Sequence, residues 1–286
     1  MSLVLRDRRL AVGLALLTGI IGLALAAPLI SGGSPNAVGD IVSLRFLEPL
    51  ARDVHGSFHL MGTDRFGRDV WTRLVYGARV SLAVGSLSVL ISLVVGVTIG
   101  GLAGWWRGWP GTVLAATTDF ALALPRVVLL LLLAALWQPS ALLVVLLLGA
   151  TGWMPIARLV QGEVRALAAR PFVESAHTLG VRPLRVLWRH VLPNALTPVI
   201  VAAALGVGNA ILLEAGMSYL GLGVQPPTPS WGNMIASGRD TLVNAPWVAT
   251  APGLMLVLVV VGCTLVGDSL RDVLSRQTST ASGSGS

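Results

Sequence analysis

The chain of 286 residues contains no lysine and a single cysteine, Cys263, and only 12% of its residues are charged. One cysteine excludes a disulfide framework and a thiolate metal site within the chain. The missing lysine excludes a phosphate-binding loop of the G-x-x-x-x-G-K-S/T type, and no H-E-x-x-H or G-x-S-x-G motif is present. We therefore predict a non-catalytic chain that holds no cofactor or metal ion of its own.

Apolar residues make up 54% of the chain, and the mean hydropathy is +0.79. Soluble domains contain about 45–50% apolar and about 25% charged residues. Several apolar runs are about 20 residues long, which lets each run cross a hydrocarbon core of about 30 Å as a helix. Because the runs are continuous and do not alternate with polar residues, a β-barrel is disfavoured. The sequence predicts an all-α, polytopic membrane protein.

Six apolar runs predict six transmembrane helices. They lie at about residues 10–30, 80–104, 117–137, 141–159, 197–217 and 246–268. The first run follows three arginines, as a signal-peptide core would, but it is longer than such cores usually are, which favours a retained span. In the second run Gly96, Gly100 and Gly104 stand four residues apart, and we expect this face to pack inside the same chain.

The distribution of arginine predicts the orientation of the spans. With both termini in the cytoplasm, the short inner segments hold twelve arginines and the short outer loops hold only Arg239, as expected for cytoplasmic loops. The resulting parts are residues 1–30 (cytoplasmic start and first span), 31–79 (extracytoplasmic segment with an interfacial helix), 80–270 (core of five spans with a cytoplasmic loop at 160–193) and 271–286 (flexible cytoplasmic tail).

The cytoplasmic loop contains a compact polar stretch, VESAHTLGVRPLRVLWRHVLPN, between two apolar runs. Pro171 suits a first helical position, and Gly180 suits the left-handed residue that ends a helix. Pro183 can begin a second short helix. The face formed by Val173, Ala176 and Leu179 has no obvious partner within the loop, so we expect it to meet another protein.

Three segments resemble a known family. The spacing Glu-x5-Gly-x9-His-x2-Pro, formed by Glu174, Gly180, His190 and Pro193, resembles the EAA loop of ABC-importer permeases, although Ser175 stands where that family has alanine. The segments MGTDRFGRDVWTRLVYGARVSL and EAGMSYLGLGVQPPTPSWGNMI resemble the C-type permease subunit of dipeptide, oligopeptide and nickel importers. The resemblance covers residues 61–272.

This resemblance implies a type I ABC-importer permease fold in the cytoplasmic membrane of a prokaryote. It implies a heterodimer with a second, homologous permease subunit, two ABC ATPase subunits that bind ATP and Mg, and an extracytoplasmic substrate-binding protein. The expected partners also include membrane lipid but no nucleic acid. The implied cargo is a di- or oligopeptide, with nickel, glutathione or haem as alternatives. The implied ATPase-coupling residues are Val173, Glu174, Ser175, Ala176, Leu179, Gly180, His190 and Pro193.

Other functions remain open for these residues. The polar loop could instead lie on the inner leaflet, with its arginines against anionic lipid. An ion-coupled secondary transporter also has several spans with a few buried charges, and a passive scaffold would explain the packing alone. A secondary transporter predicts internal repeats, which we do not find convincingly in the sequence. A scaffold does not account for a short helix that is suited to contact an ATPase.

Two ionisable residues are predicted to lie within spans, where an ionised side chain is unfavourable unless it faces a cavity, a partner or an interface. Arg126 follows Pro125 and either lines the translocation path or reaches towards the membrane surface; the sequence does not decide between these. Glu214 lies near the outer end of the fifth predicted span, where a gate or a subunit interface is favoured over substrate binding. His55 and His59 stand four residues apart but form no metal-ligand pattern.

Overall fold

The computed structural model describes residues 8–283, with backbone only for His177 and residues 275–283. Arg6 and the last three residues of the predicted tail lie outside the described residues. The first half of the chain forms α1 (Arg8–Ile30), α2 (Ile41–Leu44), β1 (Ala51–Arg52), β2 (Phe58–His59), α3 (Val70–Trp105), α4 (Trp109–Ala123) and α5 (Arg126–Ala134). The second half forms α6 (Ala141–Ala168), α7 (Pro171–Thr178), α8 (Pro183–Val186), α9 (Leu192–Ala195), α10 (Thr197–Tyr219), α11 (Trp231–Gly238) and α12 (Trp247–Gly283).

Five of these helices, α1, α3, α6, α10 and α12, are long and apolar enough to cross a membrane. They coincide with five of the six predicted spans, because each is built on an uninterrupted apolar run. This confirms the prediction of an all-α membrane protein.

The third predicted span is not one straight helix. Its residues are divided between α4 and α5, which meet at 80°. Pro125 has no N–H with which to continue α4, and it forces Leu124 before it into an extended conformation with ψ of 132°. The prediction of a single helix over 117–137 is therefore wrong.

Glycines set the packing of α3 against α6. A β-carbon on Gly96 would lie 2.8 Å from the Ile156 β-carbon, and one on Gly104 would lie 2.9 Å from the Val164 β-carbon. The expectation that the Gly96, Gly100 and Gly104 face packs inside the chain is confirmed. On α6, Gly149 lies against Ile91 of α3, so residue numbers rise together along the two helices.

The parallel arrangement of α3 and α6 determines the path of α4 and α5, which we call the bent pair. The end of α3 at Trp105 and the start of α6 at Ala141 lie at opposite ends of the α3–α6 pair. Together α4 and α5 carry the chain from one end to the other, and they count as the sixth span despite the bend.

Two predicted boundaries change. The expected interfacial helix before residue 80 is the first part of α3, where Val70 and Leu74 are buried. The expected flexible tail from residue 271 begins as a continuation of α12, which runs to Gly283. No proline or glycine occurs between Gly267 and Gly283 to end the helix earlier.

Residues 31–69 fold over one end of the spans, which we call the hairpin end because β1 and β2 pair there as an antiparallel hairpin. Asp64 Oδ2 accepts hydrogen bonds from Arg68 Nη2 at 2.6 Å and from Arg68 Nε at 2.7 Å, and both side chains are buried. Trp247 Nε1 donates to the Thr63 carbonyl at 3.2 Å, which ties the segment to α12. The opposite end, at residues 168–197, is called the loop end.

Candidate functional site

The loop end is built from two runs of short helix joined by a turn. The turn is set by Gly180, whose φ of +74° favours glycine. The Val181 N–H donates to the Ala176 carbonyl at 3.2 Å, which is the longer hydrogen bond of a Schellman cap. Pro183 then begins α8, and a π-helical turn from Leu187 to Val191 joins α8 to α9. The predicted order of helix, glycine cap and helix is present.

One face of the loop is fastened to the spans of its own chain. Val173 is 3% exposed and belongs to the same apolar cluster as Val160 and Val164 of α6. Ala176 packs against this cluster, which also takes in Leu187 from the second run. The expectation that the Val173, Ala176 and Leu179 face lacks a partner within its own loop is therefore wrong for Val173 and Ala176, because they pack with Leu187 of the second run and with the end of α6.

The opposite face of the loop is exposed. Leu179 is 81% exposed, and Glu174, Ser175, Gly180, His190 and Pro193 are exposed as well. Three large apolar side chains outside the predicted set of coupling residues are also exposed: Phe172, Leu184 and Trp188. We call the exposed residues Phe172, Glu174, Leu179, Leu184 and Trp188 of the loop the coupling surface.

Two clefts open beside the coupling surface. One, of about 530 Å³, is lined by Glu174 together with Arg107 and Arg170. The other, of about 490 Å³, brings His190 of the second run beside Phe172 and Arg170 of the first. Among the side chains that the structure describes, residues 8–176 and 178–274, Glu174 makes no ion pair within 4.0 Å.

Arg126 lies at the first position of α5, directly after the bend. Its Nε donates to Thr151 Oγ1 at 3.4 Å, and its Nη2 donates to the Leu148 carbonyl at 3.3 Å. The side chain lines a cavity between α3, α6 and α10. Of the two positions that the sequence left open, this geometry places Arg126 against an internal cavity.

Glu214 is fully buried at the hairpin end and lines none of the cavities described above. Its carboxyl accepts from Ser81 Oγ at 3.0 Å and from Ser218 Oγ at 2.7 Å. The Trp231 backbone N–H in turn donates to Ser81 Oγ at 3.2 Å. Glu214 therefore joins α3, α10 and α11 into one polar cluster.

The comparisons with known proteins agree with this architecture. The family described as "Binding-protein-dependent transport system inner membrane component" matches residues 96–280. The chain belongs to this family. The match includes the bent pair, the whole loop end and the last span, and it identifies the chain as a membrane-embedded transport permease.

Curated relatives cover three quarters or more of the chain. The dipeptide transport system permease protein DppC of Alkalihalophilus pseudofirmus is 38% identical over 271 residues, which are 94% of this chain and 86% of that protein. The glutathione transport system permease protein GsiD of Pectobacterium atrosepticum is 37% identical over 218 residues, 76% of this chain and 72% of that protein.

Solved structures support the fold of the permease. A chain of the MetNI methionine ABC transporter, in an inward-facing conformation, superposes with a TM-score of 0.58 and 20% identity. The superposition covers 70% of this chain and 96% of that chain. At this level of identity the likeness concerns the fold alone.

Proposed function

We propose that the permease carries peptides across the cytoplasmic membrane of a prokaryote as one half of a heterodimeric translocation path. The dipeptide permease relative, 38% identical over 94% of the chain, is the observation that supports peptides as cargo. The glutathione permease relative favours glutathione as the second candidate. An extracytoplasmic binding protein would supply either substrate, in keeping with the family description.

The coupling surface is the proposed contact with a separate ATPase subunit, which would bind ATP and Mg. Large exposed apolar side chains that lie together at a membrane protein's polar end are typical of a protein interface. Leu179 and Trp188 supply the apolar centre, while Glu174 can form a charge-assisted hydrogen bond with an ATPase arginine. Val173 and Ala176 have a different role in this proposal. They lie on the covered side of the loop, where they attach it to the end of α6.

The proposed orientation places the loop end and both termini in the cytoplasm. Six crossings leave the two termini on one side of the membrane. The loop end exposes Arg170, Arg182, Arg185 and Arg189, which fits the enrichment of arginine in cytoplasmic loops. The hairpin end then faces outward, where a binding protein would dock.

Leu179→Asp tests the coupling surface. Leu179 is 81% exposed, so the permease should fold normally, while a buried carboxylate at the interface should weaken ATPase binding by at least about tenfold. Co-purification of the ATPases and ATP-dependent peptide uptake into vesicles are the two measurements. Val243→Asp is the matched control, since Val243 is 94% exposed at the hairpin end and should leave ATPase binding unchanged. Normal ATPase binding and uptake with Leu179→Asp would show that the motor docks elsewhere.

A further inference from the structure

A cavity of about 390 Å³ lies halfway along three of the spans. It is bounded by Ser88 and Ser92 on α3, by Gly152 on α6 and by Asn209 on α10, with Arg126 of α5 at its side. Binding sites for small molecules usually have volumes of about 300–1,000 Å³ and combine apolar walls with a few polar groups. This cavity has that size and that composition.

Within the part of the chain that the structure describes, the arginine in this cavity has no anionic partner. Its guanidinium donates to two neutral acceptors, the Thr151 hydroxyl and the Leu148 backbone carbonyl, at 3.4 Å and 3.3 Å. Among residues 8–283, no carboxylate lies within 4.0 Å of the guanidinium. Charged side chains within membrane spans normally pair with other groups or face water, so an anion supplied from outside the chain would complete this site.

The local backbone directs the guanidinium into the cavity. A β-carbon on Gly152 would clash with Ser92 Oγ and would lie 3.2 Å from Arg126 Nη2, so the glycine leaves space for both side chains. The next residues, Val127 and Val128, are 54% and 61% exposed and present only hydrocarbon. The bend before α5 therefore separates a charged side that faces the cavity from an aliphatic side that suits lipid.

We propose that Arg126 binds the carboxylate of the solute as it passes, so that the path favours substrates with a free carboxylate, such as peptides with an unblocked C-terminus. This inference rests on the proposed function, since it names the chemical group that the importer's cargo carries. A guanidinium can form two parallel hydrogen bonds with a carboxylate. Asn209 of α10 also lines the cavity and offers a polar contact to the rest of the solute.

Uptake of paired substrates tests the proposal in the complete importer, reconstituted with its partner permease, ATPases and binding protein. The substrates are one dipeptide with a free C-terminus and the same dipeptide as its C-terminal amide. Arg126→Gln should lower uptake of the free acid about tenfold and change uptake of the amide much less, because a charge-assisted hydrogen bond is lost only with the acid. Arg126→Lys should retain part of the preference. The same binding protein is present in every sample, so its own preference between acid and amide cancels when each variant is compared with the unaltered importer.

Arg158→Gln is the matched control for charge, because Arg158 is paired with Asp119 at 3.2 Å and lies outside this cavity. It should leave the ratio of acid to amide uptake unchanged. Equal losses of acid and amide uptake in Arg126→Gln would overturn the proposal.

Thiol labelling tests the same site without any transported peptide. In a Cys263→Ala background, Arg126→Cys should react with a water-soluble anionic methanethiosulfonate, whereas Val127→Cys and Val128→Cys should not. An unreactive Arg126→Cys would overturn the proposal whatever the uptake assay shows. If Arg126→Cys reacts but the unaltered importer moves no peptide, the peptide assignment fails and the anion site stands.

Discussion

At the hairpin end the chain buries charged side chains, whereas at the loop end it exposes large apolar ones. Asp64 is 3% exposed and Glu214 is fully buried, while Leu179 is 81% and Trp188 51% exposed. At the hairpin end, the buried carboxylates of Asp64 and Glu214 accept hydrogen bonds from Arg68 and from Ser81 and Ser218 of the same chain. Exposed apolar side chains occur at both ends, since Val42 is 91% and Val243 94% exposed at the hairpin end. Among the described side chains of residues 168–197, however, no charged side chain is buried. This contrast in buried charge fits the proposal that another protein completes the loop end.

The largest expected effect on stability is that of Asp64→Ala at the hairpin end. The substitution leaves the buried Arg68 guanidinium without its carboxylate, and breaking a buried ion pair costs about 3–5 kcal/mol. Thermal unfolding in detergent should show the loss, and hydrogen exchange should place it in residues 40–70. Leu184→Ser at the loop end, where the side chain is 52% exposed, should change the unfolding free energy by less than about 0.5 kcal/mol. Similar losses in both variants would remove the contrast between the ends.

A smaller loss is expected for Glu214→Ala. The substitution leaves the hydroxyls of Ser81 and Ser218 without their acceptor, which costs about 1–3 kcal/mol for buried polar groups. Glu214→Gln keeps one acceptor oxygen and should lose less stability. The melting temperatures of the two variants in detergent give the comparison. If Glu214→Gln is the less stable of the two, the carboxyl does not act as an acceptor that joins α3, α10 and α11.

The smallest effect is a pH dependence at the hairpin end. Desolvation acts to raise the pKa of Asp53, but the N–H groups of Ser57 and His55 and the His59 ring outweigh it and hold this pKa below its ordinary value of 3.8. A lowered carboxyl pKa stabilises the fold above the ordinary pKa, and this contribution is lost as pH falls through the folded value. The hydrogen-exchange protection factors of β1 and β2, which correct for the pH dependence of intrinsic amide exchange, should therefore fall below about pH 4.

Asp53→Asn is the control for this pH dependence, because an amide does not titrate in that range. In this variant, the hydrogen-exchange protection factors of β1 and β2 should change less between pH 5 and pH 3. An unchanged pH profile in Asp53→Asn would assign the effect to another carboxylate.

Much of the fold could be predicted from the sequence because membrane spans depend on long apolar runs, which are local features. The bend at Pro125 could be anticipated only in part. Proline predicts that a helix opens, but the angle of 80° depends on how α4 and α5 each pack against α6. The parallel contact of α3 with α6 depends on residues about sixty positions apart, and the glycine spacing indicated only that a close contact would exist.

At the loop end, the sequence predicted the turn at Gly180 but not which face of α7 is covered. The spacing of Val173, Ala176 and Leu179 identifies an apolar face, and it is the same whether the partner is α6 or a separate protein. The structure divides this face, with Val173 buried and Leu179 exposed. Trp188 was not predicted, because it lies in a π-helical turn that changes the helical spacing after α8.

The interlocked contact between α3 and α6 has a mechanical consequence. Gly96, Gly100 and Gly104 bring the two backbones together along their second half, and Val173 and Leu187 fasten the loop to the same end of α6. Close-packed interiors deform little, so α3, α6 and the loop should move together as one rigid unit. A displacement of the loop by a few ångströms would then move the opposite end of the α3–α6 pair by a similar distance.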